Sequence, residues 1–197
     1  MKSYVLTGIA LYCLALFPTE ARGEDIVKTT VCEVVANPPA FDHKLIELTG
    51  YATEGMENFS LSTKDCRIDK DNWTGIWLEY GGKRKSGAKY CCGVSMERTR
   101  VSDLTIEGVR TSLVNDARFR AFDARVYPTG EVKARLIGRY FAGTRQNLPA
   151  RPELYFWGGY GHFGMGTLLV IQRVVSVEPR DKAGGSPVVK GDSHLER

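Results

Sequence analysis

The chain has 197 residues, with 27 basic against 23 acidic side chains and a formal net charge of +4. That bias is too weak for a nucleic-acid surface, so nucleic acid is excluded as a partner class. The length suits one domain with a real core and leaves little room for two.

In chain order, Lys2 precedes an unbroken apolar stretch from Tyr4 to Phe17. A membrane span needs about 20 apolar residues, so this stretch is too short to cross and fits the core of a secretory signal. Pro18 ends it, and Ala21 and Gly23 put small residues where a signal peptidase reads. Residues 1–23 are therefore predicted to be a signal peptide cut after Gly23, with Ala21 the near alternative. Cys13 lies behind bulky Leu11 and Tyr12, which does not suit lipid attachment, and it leaves with the signal. Removing 23 of 197 residues leaves 174, and the charge falls to +3 as Lys2 and Arg22 depart with Glu20. No second long apolar segment follows, so the mature chain is predicted to be periplasmic or secreted and not membrane-spanning.

Cys32, Cys66, Cys91 and Cys92 remain, and in an oxidising compartment an even count reads as two disulfides. Pairing Cys32 with Cys66 would leave Cys91 and Cys92 as a strained ring of adjacent residues. Strain thus favours a crossed pattern that ties both earlier cysteines to the Cys91-Cys92 corner. Zinc would need a CxxC pair or clustered histidines, whereas His43, His162 and His194 are scattered. Neither a metal nor a cofactor is expected.

Thr29 to Ala36 reads as a brief helix, with Thr30 and Glu33 as a capping box and Asn37-Pro38-Pro39 as its stop. Lys44 to Ala52 alternates, with Ile46, Leu48 and Gly50 on one face, and is the first predicted strand. Phe59 to Ser62 and Gly75 to Tyr80 give the second and third, the latter ended by Gly81-Gly82. A loop of about twenty residues then carries the cysteine pair; its basic cluster, Lys83-Arg84-Lys85 with Lys89, Arg98 and Arg100, reads as solvated and flexible. Helical period returns at Val114, Ala117, Ala121 and Phe122, predicting a helix over roughly Asn115 to Arg125. The fourth strand sets Val132, Ala134, Leu136, Gly138 and Tyr140 inward and Lys133, Arg135 and Arg139 on a wet, basic face. Thr167 to Val177 is almost continuously apolar, so the last strand should be covered on both sides. Residues 180–197 have charge and turn residues without period and read as a disordered tail, leaving one domain over 24–179.

Three strands, a helix and two strands is the order of an OB-fold, a five-stranded Greek-key barrel with a helix between strands three and four. The run Asn37-Pro38-Pro39-Ala40-Phe41-Asp42-His43-Lys44, leading into an alternating strand that ends at Gly50, resembles the opening of bacterial OB-like domains, with His43 where glycine is usual. Gly138-Arg139-Tyr140-Phe141-Ala142-Gly143 and Gly161-His162-Phe163-Gly164 resemble later segments of uncharacterised secreted proteins of that kind. The resemblance spans Thr30 to Val177 and implies a fold but no chemistry.

Two motif matches fail on context. Gly159-Tyr160-Gly161-His162-Phe163-Gly164 spells GxGxxG, but a dinucleotide site needs a helix after it and a β run follows instead. Ser86-Gly87-Ala88-Lys89 spells SxxK without a helix to aim the serine. The segment from Gly143 to Gly166 remains, read as a long loop carrying Tyr155, Phe156, Trp157, Tyr160, His162 and Phe163 among glycines, beside Arg145 and Arg151. Two functional classes fit. The first is a non-catalytic binding module in which Trp157, Tyr160, His162, Phe163, Arg135 and Arg139 contact an envelope protein or an anionic glycan. The second is a small hydrolase using His162 with a carboxylate such as Asp42 or Glu79.

Overall fold

In a computed structural model of the chain, the residues described are 24–55, 58–66, 75–80, 85–86, 98–99, 104–127, 129–148 and 151–178. The expected signal peptide, Cys91 and Cys92, most of the basic cluster and the expected tail lie outside these residues.

Among the described residues the fold is mainly β, with two α-helices. A two-residue strand β1 (Val27–Lys28) leads into α1 (Val31–Ala36). The capping box read from the sequence is formed, since Thr30 accepts from the Glu33 amide while the Glu33 carboxylate accepts from the Thr30 amide at 3.0 Å. A 3-10 turn at Pro38–Phe41 follows, and then β2 (Leu45–Glu54), β3 (Phe59–Ser62) and β4 (Ile76–Glu79). The stretch after β4, read as one long loop, holds β5 (Lys85–Ser86) paired with β6 (Arg98–Thr99), and β7 (Leu104–Ile106) paired with β8 (Val109–Thr111). Helix α2 (Ala117–Val126) starts at Asp116, whose side chain accepts from the Phe119 amide, and precedes the twelve-residue β9 (Gly130–Phe141).

The expected loop from Gly143 to Gly166 is instead largely a hairpin of β10 (Thr144–Leu148) and β11 (Arg151–Gly158), followed by a 3-10 turn at His162–Gly164. The hairpin satisfies in a two-stranded ladder the backbone groups that a long loop would leave to solvent. The last strand is β12 (Leu168–Glu178).

One mixed sheet of six strands runs β1-β2-β3-β4-β12-β9, with β2 also pairing β9 from Leu45↔Arg139 to Glu54↔Gly130. β12 is parallel to β4 and antiparallel to β9, so it has a neighbour on each side, and Leu168, Leu169, Val170 and Ile171 are all buried. The inward faces of β2 and β9 meet β12 and α2 in the main core, through Ile46, Leu48, Leu136, Tyr140, Leu169 and Phe122. A second, smaller cluster of Trp77, Phe141, Leu168 and Val170 lies on the other side of the sheet, covered by Leu104, Ile106 and Val109 of β7 and β8 and by Tyr160. This explains why β4 is buried along its whole length.

The disulfide joins Cys32 of α1 to Cys66 just beyond β3, with Cα atoms 5.3 Å apart. The crossed pattern expected from the sequence is overturned: the fold brings α1 beside the end of β3, and this proximity outweighs an argument from strain at Cys91-Cys92.

Candidate functional site

Two features stand out on the surface. The first is a corner where β2 begins. The turn Phe41-Asp42-His43-Lys44 puts His43 in the left-handed region at φ 57, with its amide donating to the Tyr140 carbonyl at 2.9 Å. Arg139 donates to the His43 carbonyl at 2.7 Å and pairs with Glu24. The imidazole stands edge-on to Phe141 with centroids 5.3 Å apart. Across from it, β7 and β8 are joined by Glu107-Gly108 alone, both at positive φ, as a two-residue hairpin turn of the twist-compatible kind requires.

That turn carries the Glu107 carboxylate to His43 Nε2 at 2.6 Å, and its other oxygen accepts from the Tyr160 hydroxyl. The Tyr160 bond and then the His43 bond hold the Glu107 carboxyl below its usual range. Asp42 completes the corner, accepting from the Ala142 amide at 2.9 Å. One donor atom each from Asp42, His43 and Glu107 lie within 4.8 Å of one another.

The second feature is the end of the molecule formed by β10, β11 and the turn that follows. Arg145 lies over the Tyr155 ring with its guanidinium carbon 3.7 Å from the centroid, a cation–π contact across the hairpin. Gly161, at φ 71, lets the backbone pass over Trp77, since a Cβ there would fall 2.4 Å from the indole. The chain then turns through His162 and Phe163, rings 4.1 Å apart, with Phe163 also left-handed at φ 54. Mutual hydrogen bonds between Tyr160 and Gly166, at 2.9 and 3.1 Å, close the turn.

The structure separates the residues singled out from the sequence. Trp157 is partly buried against the main core, and Tyr160 packs on the second cluster. Phe163 projects into solvent at 67% exposure beside His162. Arg135 and Arg139 lie on the outer face of β9 and are engaged, Arg135 with Glu47 at 3.9 Å and Arg139 with Glu24. Lys133 on the same face pairs with Glu178 at 2.9 Å, so this basic face is balanced by carboxylates. Among the described residues, His43 stands with two carboxylates, Asp42 and Glu107. Glu107 and Met165 were not among the residues that the sequence patterns single out. Glu107 was signalled only by the alternation of Leu104-Thr105-Ile106 and Val109-Arg110-Thr111 around a glycine-containing pair.

Comparison of the chain with protein-family models, with curated proteins and with solved structures finds no match.

Proposed function

We propose that this chain is an extracytoplasmic, non-catalytic binding module on an OB-like barrel, and that it engages a protein partner through the surface around Phe163. The barrel reading is supported by pairings that run from β2 through β3, β4, β12 and β9 and return to β2, with α2 between β4 and β9 in the chain. The leader-like residues 1–23 and the Cys32–Cys66 bond support an oxidising, exported setting.

Phe163 carries the functional reading. A left-handed backbone costs a residue with a Cβ on the order of 1–2 kcal/mol, and the ring it presents is mostly in water. Backbone comfort does not account for that arrangement, and the contact with His162 leaves most of the ring in water, whereas a partner that covers the ring accounts for it. Tyr155 at 52% and Met165 at 47% lie in the same segment, and these three are the most exposed large apolar side chains among the described residues. Tyrosine, methionine and arginine are enriched in protein interfaces, which suits Tyr155, Met165 and Arg145. An anionic glycan has less to hold, because the cations of the β9 face are already paired.

A photo-crosslinking residue placed at Phe163 of the full chain, in the producing cell, should capture a partner that the same probe at exposed Val114 does not. With that partner purified, Tyr155→Ala and Phe163→Ala should each weaken binding by more than about fivefold, roughly 1 kcal/mol. If no partner is captured and an array of acidic oligosaccharides retains the chain instead, the anionic-glycan reading takes its place. Failure of both would leave the aromatic end as a cap.

A further inference from the structure

We propose that Asp42, His43 and Glu107 bind one divalent transition-metal ion of the zinc type, which pins the β7–β8 hairpin to the start of β2. One imidazole nitrogen and two carboxylates form a donor set that suits Zn²⁺ or its neighbours, with a coordination position left for water. Metal–ligand bonds of about 2.0–2.2 Å put ligand atoms at most about 4.4 Å apart. The donor atoms here already lie within 4.8 Å, so small side-chain adjustments close the set. At its short edge, His43 Nε2 and the Glu107 oxygen are 2.6 Å apart, and a cation entering between them replaces the proton they share.

Each donor is held from outside the set, as metal ligands are. The Ala142 amide fixes one Asp42 oxygen at 2.9 Å and leaves the other to ligate. The Tyr160 hydroxyl holds the second Glu107 oxygen. Phe141 supports the imidazole edge, while the Tyr140 carbonyl and the Arg139 guanidinium hold the His43 backbone on both sides. Arg139, the cation beside this corner, is itself engaged by Glu24. The carboxylates of Asp42 and Glu107 beside the imidazole supply negative charge that a divalent ion balances. Because Asp42 and His43 lie in the turn just before β2 and Glu107 at a hairpin tip 64 residues beyond His43, the ion would act as a cross-link.

The test is calorimetric titration of the tag-free full chain with Zn²⁺, with Co²⁺ absorption as a second readout. The expected result is one ion per chain and a ligand-field spectrum with Co²⁺. His43→Asn keeps a residue that tolerates the left-handed backbone and should lower affinity at least about a hundredfold. Tyr160→Phe, which removes only an outer hydrogen bond, should lower it about tenfold. His162→Ala and His194→Ala should leave it unchanged. Absence of stoichiometric Zn²⁺ binding by the parent chain overturns the assignment, as does affinity that survives His43→Asn. Either result leaves the Phe163 surface untouched, since that reading stands on different residues.

Discussion

His43 and Glu107, 64 residues apart in the chain, meet at 2.6 Å with both backbones in the left-handed region. The contact is the outermost tie between the β7–β8 hairpin and the sheet, while Leu104, Ile106 and Val109 make the apolar attachment beneath it. An exposed ion pair contributes about 0.2–1 kcal/mol. Glu107→Gln should therefore speed amide hydrogen exchange in β7 and β8 by a factor of about two to five. Exchange in β9 and β12 should not change. Equal acceleration in those central strands would mean that the pair supports the whole fold and not the hairpin alone.

Cys32 and Cys66 are 34 residues apart, and closing a loop of that size stabilises by about 3–4 kcal/mol in the chain-entropy picture. Non-reducing peptide mapping should recover a Cys32–Cys66 peptide. The double change Cys32→Ala, Cys66→Ala should lower unfolding stability by about 2–4 kcal/mol in urea titration. Recovery of Cys32 or Cys66 joined to Cys91 or Cys92 would contradict the structure.

Asp116 caps α2 by accepting from the Phe119 amide at 2.9 Å, and this bond first, then the neighbouring Arg118 and Arg120, hold its carboxyl below the ordinary value of 3.8. A group whose folded pKa is depressed adds stability above its unfolded value and loses it as pH falls through the folded one. Asp116→Ala should thus lower Tm at pH 7, and the gap to the parent chain should close as pH drops below 3.8. A gap independent of pH would show that the cap acts by shape and not through its charge.

How far these features were legible follows from the range of the forces behind them. Alternation in β2 and β9, the apolar run of β12 and the Thr30–Glu33 capping box are local, and their residues announce them. The β7–β8 hairpin escaped notice because its arms have three residues each and its turn is Glu107-Gly108, without the asparagine or aspartate that usually marks such turns. β10 and β11 were hidden by the glycines around them and by Pro152, which argue for a loop. His43 stood at a position suited to glycine, and nothing near it in the chain pointed to Glu107. The Cys32–Cys66 pairing is likewise set by α1 docking beside the end of β3, a long-range contact without a local signal.

Gly161 crosses the face of Trp77 so closely that a Cβ would fall within 2.4–3.0 Å of three indole atoms, and its φ of 71 already disfavours a side chain. Trp77 is buried in the second cluster and has no room to retreat without disturbing Phe141 or Leu168. Gly161→Ala should destabilise the fold by more than about 1 kcal/mol and alter the tryptophan emission. Gly55→Ala, at a glycine with open space around its Cβ, is the matched control and should do neither.

Trp157 and Phe163 are both aromatic and lie six positions apart, yet their surroundings assign them opposite roles. Trp157 is partly buried against the main core, so Trp157→Ala removes packed area and leaves a void; large-to-small changes of fully buried aromatics cost about 3–5 kcal/mol, and a partly buried one should cost less. Phe163 gives up little on folding, because its ring is 67% exposed and its backbone is left-handed. Phe163→Ala should leave the urea midpoint within about 0.5 kcal/mol of the parent chain, and Phe163→Gly should raise stability slightly by relieving the backbone. Paired denaturation curves check both at once. If Phe163→Ala destabilised the chain as much as Trp157→Ala, the ring would be part of the fold and could not be held in reserve for a partner. If Phe163→Gly stabilised the chain while weakening its binding to the purified partner, the strain at this turn would be a feature kept for binding at the expense of stability.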